Sequence, residues 1–328
     1  ERTDTKFSSD DLGYFTNNNF LNHGAWAGYS WTEPKSWYNR IFLNFNGNVS
    51  ILSKKIAPVD EKYQSARFNT NINVQSKKLW WMGGHFDYTF RENDFYEPRT
   101  EGWYFKRGAS AGIGSWFESN NSKKYSYSIQ VFTRTYIDFY KSFAMDISYM
   151  HNMRFNNRLS LSQSISLQPR FNNIGYTFVE GSNDINFAKR KVNTIEHTVS
   201  AKYNFNNKMG ITFRSRHYLS SVDNKEFYTL QHDGKLAANP GFQPNANQNV
   251  NFFNIDMVYT WQFAPGSFLN IVWKDATQDF RNNVEKKYFK NLGNTITQDN
   301  NNNFSLKVIY FLDYLTLKNT INLARKNS

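Results

Sequence analysis

Two residue pairs in this chain have the types and spacing of hydrolytic chemistry. His85 and Asp87 stand two apart, and so do Ser215 and His217. On a strand, residues two apart point the same way. A carboxylate beside a histidine is the orienting half of a hydrolytic triad, and a serine beside a histidine is the nucleophilic half. Neither pair has a recognisable third member, so the chain is expected not to be an enzyme. The loop Arg91 to Glu101 carries Glu92, Asp94, Glu97 and Glu101, an oxygen set that suits calcium. It lacks the EF-hand spacing and has arginines interleaved, so it reads as a solvated loop. There is no cysteine, no His-Glu-x-x-His run and no glycine-rich phosphate cradle, so no metal and no cofactor is expected.

A second set of residues could select or conduct solutes. Arg40, Arg67, Asp146, Glu196, Lys202, Arg214, Arg216, Asp256, Lys274 and Lys307 fall on the polar phase of alternating segments. Facing a water-filled interior they would line a pore, and facing one another they would fill a closed one. Trp26, Trp31, Trp80, Trp81, Trp116, Tyr259, Trp261 and Trp273 lie near predicted strand ends, where membrane barrels carry an interfacial aromatic belt. A sugar-stacking platform is the other use of such rings, and loop-proximal Trp103 suits it best.

The elements that must position these residues are strands. In 251–275, Phe253, Ile255, Met257, Tyr259, Trp261 and Phe263 share one phase, and Asn254, Asp256, Thr260 and Gln262 share the other. After an Ala-Pro-Gly-Ser turn, Leu269, Ile271 and Trp273 alternate with Asn270 and Lys274. The same period of two recurs near 20–31, 38–51, 64–75, 80–91, 103–117, 124–138, 142–154, 158–169, 192–205, 209–220, 249–263, 266–279 and 303–315. Short Asn-, Gly- and Pro-rich turns alternate with longer connections at 52–63, 92–102, 170–191, 221–248 and 280–302, within which 226–235 can extend a hairpin. The expected fold is all-β, a transmembrane antiparallel β-barrel of about 14 strands forming a single domain over residues 1–328. Thirteen strands are visible, and 4–16 would supply a fourteenth. The chain starts at Glu1, which suggests a mature or truncated product with more strands before it.

Composition agrees with this class. Aromatics make up 18% of the chain, yet mean hydropathy is −0.70, and no stretch is apolar enough for a spanning helix. The net charge of +12 is scattered over strands and loops with no helix-like cluster, so nucleic acid is not the expected partner. Outer-membrane lipid and lipopolysaccharide are, together with other envelope proteins.

Asp11-Leu12-Gly13-Tyr14-Phe15, Asn193-Thr194-Ile195-Glu196-His197, Phe213-Arg214-Ser215-Arg216-His217-Tyr218 and Phe263-Ala264-Pro265-Gly266-Ser267 carry a family resemblance. They resemble the C-terminal barrel of uncharacterised outer-membrane proteins that begin with a family-9-type carbohydrate-binding module. The resemblance implies a barrel in a bacterial outer membrane and a glycan-related role. The expected function is a porin-like pore or uptake component. The alternative is a non-enzymatic structural or assembly subunit of a larger outer-membrane complex.

Overall fold

The computed structural model describes residues 2–3, 18–179, 181–314 and 318. The proposed strand at 4–16 and the motif at Asp11 to Phe15 lie outside the described residues. The strands in chain order are β1 (Phe20–Trp31), β2 (Tyr38–Leu52), β3 (Tyr63–Ser76), β4 (Trp81–Thr89), β5 (Glu92–Asp94), β6 (Phe105–Arg107), β7 (Ala109–Glu118) and β8 (Tyr125–Ile137). They continue with β9 (Phe143–Arg154), β10 (Leu159–Tyr176), β11 (Asn186–Asn204), β12 (Met209–Leu230), β13 (Leu236–Ala238), β14 (Gln248–Ala264), β15 (Ser267–Arg281) and β16 (Asn300–Ile309). One helix, α1 (Tyr288–Ile296), precedes β16.

Thirteen strands form one continuous antiparallel sheet, in the order β1-β2-β3-β4-β7-β8-β9-β10-β11-β12-β14-β15-β16, with β13 added to β12. Consecutive neighbours pair with consecutive neighbours, as expected when each strand folds back on the last. β5 and β6 pair apart, inside the connection between β4 and β7. The short turns are built alike. The side-chain oxygens of Asn120, Asn156 and Asn206 each accept from the backbone N–H two residues on, the Asx-turn that makes asparagine a turn residue. At the β14–β15 turn Gly266 sits at φ +72°, where only glycine is at ease.

Four expectations are corrected at the opposite rim. The expected loop 170–191 is largely strand, because β10 runs on to Tyr176 and β11 begins at Asn186. β12 likewise continues through the expected loop 221–248 as far as Leu230. Register shifts between Arg170 and Asn173 and between Lys189 and Arg190 carry these extensions past the main sheet, and such bulges bend a strand without ending it. The expected strand 103–117 breaks into β6 and β7. The loop 280–302 holds α1.

Register assigns every side chain to one of two faces. The apolar face presents Phe45, Phe68, Ile72, Phe86, Ile113, Ile129, Leu167, Trp261 and Ile271, each at least 36% exposed. The opposite face is polar. A cavity of about 710 Å³ lies on it, lined by β8, β9, β10, β11, β12, β14 and β15 in succession. Seven flat strands would spread over about 29 Å. The sheet therefore curls, with its polar face concave.

Candidate functional site: the polar face and its strap

All ten charged residues singled out above stand on the concave face. Several are engaged. Asp87 is fully buried and meets Arg134 at 2.8 Å and Arg67 at 3.2 Å. Asp146 pairs with Arg170 at 2.6 Å, and Asp256 with Arg214 at 2.9 Å. Arg40 donates to Gln75 and lies over the Trp81 ring. Arg216 stands between Thr198 and Asn254, and Lys307 opposite Asn270. Lys202 and Lys274 line the large cavity with Lys123, Arg154 and Arg214, five cations against the carboxylate of Asp256. A concavity with that excess of one sign favours anions.

The two candidate catalytic pairs fall on opposite faces. His85 lies 3.4 Å from Asp87 on the concave face, its ring stacked on Phe132. Both arginines already hold the Asp87 carboxylate, which makes it an ion-pair anchor. Ser215 and His217 share the apolar face, where His217 is buried beside Tyr288 of α1.

Register divides the eight aromatics between the two faces and the rim. Trp31, Tyr259, Trp261 and Trp273 stand on the apolar face, and Trp80 precedes β4 at the short-turn rim with Lys78 over its ring. Register places Trp26, Trp81 and Trp116 on the concave face, opposite Asn46, Gln75 and Gln130 respectively. Each has a glycine two positions away on its own face: Gly24 and Gly28 around Trp26, Gly83 after Trp81, and Gly114 before Trp116. The Trp26 ring fills the space a Cβ at Gly28 would need, and the Trp116 ring fills that of Gly83 on the neighbouring strand. A bare glycine leaves a hole on a pleated face, and a flat indole covers it. That glycine spacing is the signal that separates inward from outward tryptophans.

The connection between β4 and β7 forms a strap across the concavity. At one end Phe95 and Tyr104 bury Leu52, Asn93 donates to the Tyr63 carbonyl, and the Tyr96 hydroxyl donates to the Asn18 carbonyl. At the other end Phe105 packs on Ile174, Phe187, Tyr228 and Leu230, and Trp103 stacks on His232 at 4.1 Å. Two of its carboxylates are tied down as well. Arg107 donates to Asp94 at 3.1 Å, and Glu97 accepts from the Tyr176 N–H at 2.8 Å. The strap thus joins strands that lie five to eight places apart in the sheet order, as a chord across the curl. Among the described residues no cluster has the make-up of a metal site.

Burial pushes the Glu92 carboxyl above its usual range, and Arg107 only partly opposes this. A raised folded-state pKa favours the protonated form. Its contribution to stability is present below the ordinary carboxylate pKa and is lost as pH rises through the higher folded value. At neutral pH Glu92 therefore loosens the strap. Glu92→Gln should slow proteolytic nicking within residues 95–104 relative to the parent chain, more at pH 8 than at pH 4. An equal rate ratio at the two pH values would refute this.

α1 packs on the apolar face of β14 and β15 in an inverted sense. It buries Asn291 and Thr295 and leaves Phe289 82% and Ile296 50% exposed. The Asn291 side-chain oxygen accepts from Asn249 at 2.8 Å and from Asn251 at 3.2 Å. Asn249 and Asn251 share the phase of Phe253 and Ile255 but are polar, and that break in the apolar stripe was the available sign of a covering element.

No curated protein matches the chain. Residues 1–321 match the family described as a domain of unknown function (DUF5916), and the chain belongs to that family.

Proposed function

We propose that the curled sheet closes into a transmembrane β-barrel of a bacterial outer membrane, and that its concave face lines a porin-like path for solute uptake. The observation that carries this is the two-faced sheet. Nine large apolar side chains on its convex face are at least 36% exposed. Full burial of each is worth about 1.5–3 kcal/mol. Even their partial exposure to water would cost on the order of 5–10 kcal/mol, comparable with the whole stability of an ordinary domain. An apolar medium removes that cost, and a water-filled interior suits the charged face. The inverted helix supports the same reading, since its outward stripe of Phe289, Leu292 and Ile296 is a surface for acyl chains. Lipid and lipopolysaccharide are then the surrounding partners. No enzymatic role is invoked. The resemblance to barrels that follow a carbohydrate-binding module supports a glycan-related role.

The five cations around the large cavity give the path its selectivity. In planar bilayers the protein should give discrete conductance steps with anion preference, and the double variant Lys202→Glu/Lys274→Glu should shift the reversal potential toward cations. A purified protein with a boiling-dependent gel shift that passes no current would overturn the pore. One observation favours a second reading, an assembly subunit. All ten residues of β16 are exposed, and an exposed edge strand can pair with a partner's strand. That reading expects a stable complex in mild detergent, and a monodisperse, partner-free protein would refute it.

A further inference from the structure

The concave face carries a lane of small hydroxyl side chains that the charge pattern does not explain. β10 points Ser160, Ser162, Ser164 and Ser166 into the concavity at four successive inward positions. Ser160 and Ser162 line the large cavity, and Ser164 and Ser166 line a second one of about 400 Å³. One row across five neighbouring strands builds the second cavity: Trp116 opposite Gln130, Gln130 opposite Ser148, Ser148 opposite Ser166, and Ser166 opposite Glu196. The Ser148 hydroxyl donates to Ser166 at 3.4 Å, so the floor is flat and low.

We propose that this trough is a binding subsite for a neutral pyranose ring of an oligosaccharide. The proposal rests on the barrel reading only in that the concave face is open to solute. Its chemistry is specific to that ligand class. The Trp116 indole is held flat over Gly83 at the β4 end of the trough and lines the cavity there, a rigid apolar edge for the C–H face of a sugar ring. Opposite it, the Glu196 carboxylate accepts from hydroxyls, and the Gln130 amide both donates and accepts. The serine floor offers further hydroxyl partners and excludes bulk by its small size. A hydrophobic wall faced by a few convergent polar groups is the make-up of a small-molecule site. A phosphate or carboxylate ligand is disfavoured here, because Glu118 and Glu196 are the charged residues of this cavity.

The test is calorimetric titration of the full chain, in a detergent without a sugar head group, with maltohexaose, cellohexaose and xylohexaose. At least one should bind. Trp116→Ala should weaken that binding by about tenfold or more, Trp116→Phe less, and Glu196→Gln severalfold. Ser166→Trp, which fills the floor, should abolish it, and the boiling-dependent gel shift reports whether each variant folds. The proposal is overturned if none of the three sugars binds, or if Glu196→Gln and Ser166→Trp both bind like the parent chain. Current without sugar binding would sink the subsite and leave the pore, and sugar binding without current would do the reverse.

Discussion

Replacing residues 95–104 with a short glycine-serine linker should raise single-channel conductance by about two- to fivefold. The strap is the one described segment that crosses from the β2–β3 side to the extended ends of β10, β11 and β12. It is held at both ends by buried apolar clusters, with Phe95 and Tyr104 over Leu52 and Phe105 among Ile174, Phe187 and Tyr228. A chord anchored in this way narrows the mouth on the long-connection rim. The β4 and β7 strands on either side remain paired over nine positions, so the sheet should survive the replacement. The same variant removes Glu97, Arg99 and Glu101, a net loss of one negative charge, so its anion preference should hold or rise. Unchanged conductance in a folded variant would mean that the strap does not lie across the conducting path.

Asp87→Ala should be the most damaging single substitution on the concave face, costing about 3–5 kcal/mol of unfolding free energy. The carboxylate is fully buried and neutralises Arg134, whose side chain is 15% exposed, together with Arg67. Removing it leaves two guanidinium groups facing each other without the anion between them. The loss of a partner is worse than the loss of the pair, because the desolvation already incurred by the arginines goes uncompensated. Combining Asp87→Ala with Arg67→Leu and Arg134→Leu should therefore recover much of the stability. Urea unfolding in micelles, followed by the boiling-dependent gel shift, measures both. A triple variant no more stable than Asp87→Ala would show that the cost comes from packing around Asp87 rather than from charge.

The strands were legible because their signal is local. Ile195, Val199, Ala201, Tyr203 and Phe205 against Glu196, Thr198, Ser200, Lys202 and Asn204 need no tertiary knowledge, and the ten inward charges followed from the same phase. What stayed hidden depends on contacts between distant segments. β10 and β12 read as ending near residues 169 and 220, with only a hairpin extension at 226–235 beyond, and β11 as starting near 192, because the clean alternation stops there. Their extensions are instead held by burial of Ile174, Phe187 and Tyr228 against Phe105 of the strap, more than sixty residues earlier in sequence. Position along the strand does not tell Trp26, Trp81 and Trp116 from the other tryptophans; their phase and the glycines beside them decide the face. The serine lane was also legible: Leu159 to Ser166 alternates apolar and polar at every step, with Gln163 as the polar exception on the apolar face. That exception sits under His197, which Tyr288 of α1 approaches at 3.3 Å.

The inverted packing of α1 also fixes a sequence of events. Of its two buried side chains, Thr295 donates to the Asn291 carbonyl inside the helix, whereas the Asn291 side-chain oxygen finds its donors on β14, in Asn249 and Asn251. Before β14 is in place the Asn291 oxygen lacks both donors and can take hydrogen bonds only from water. Once β14 and β15 are paired, the Asn291 oxygen can be shared between two side-chain amides, with Phe289 and Ile296 on the outer side of the helix. The segment between the last two hairpin strands is thus a latch that closes late, after the wall it locks against has been built.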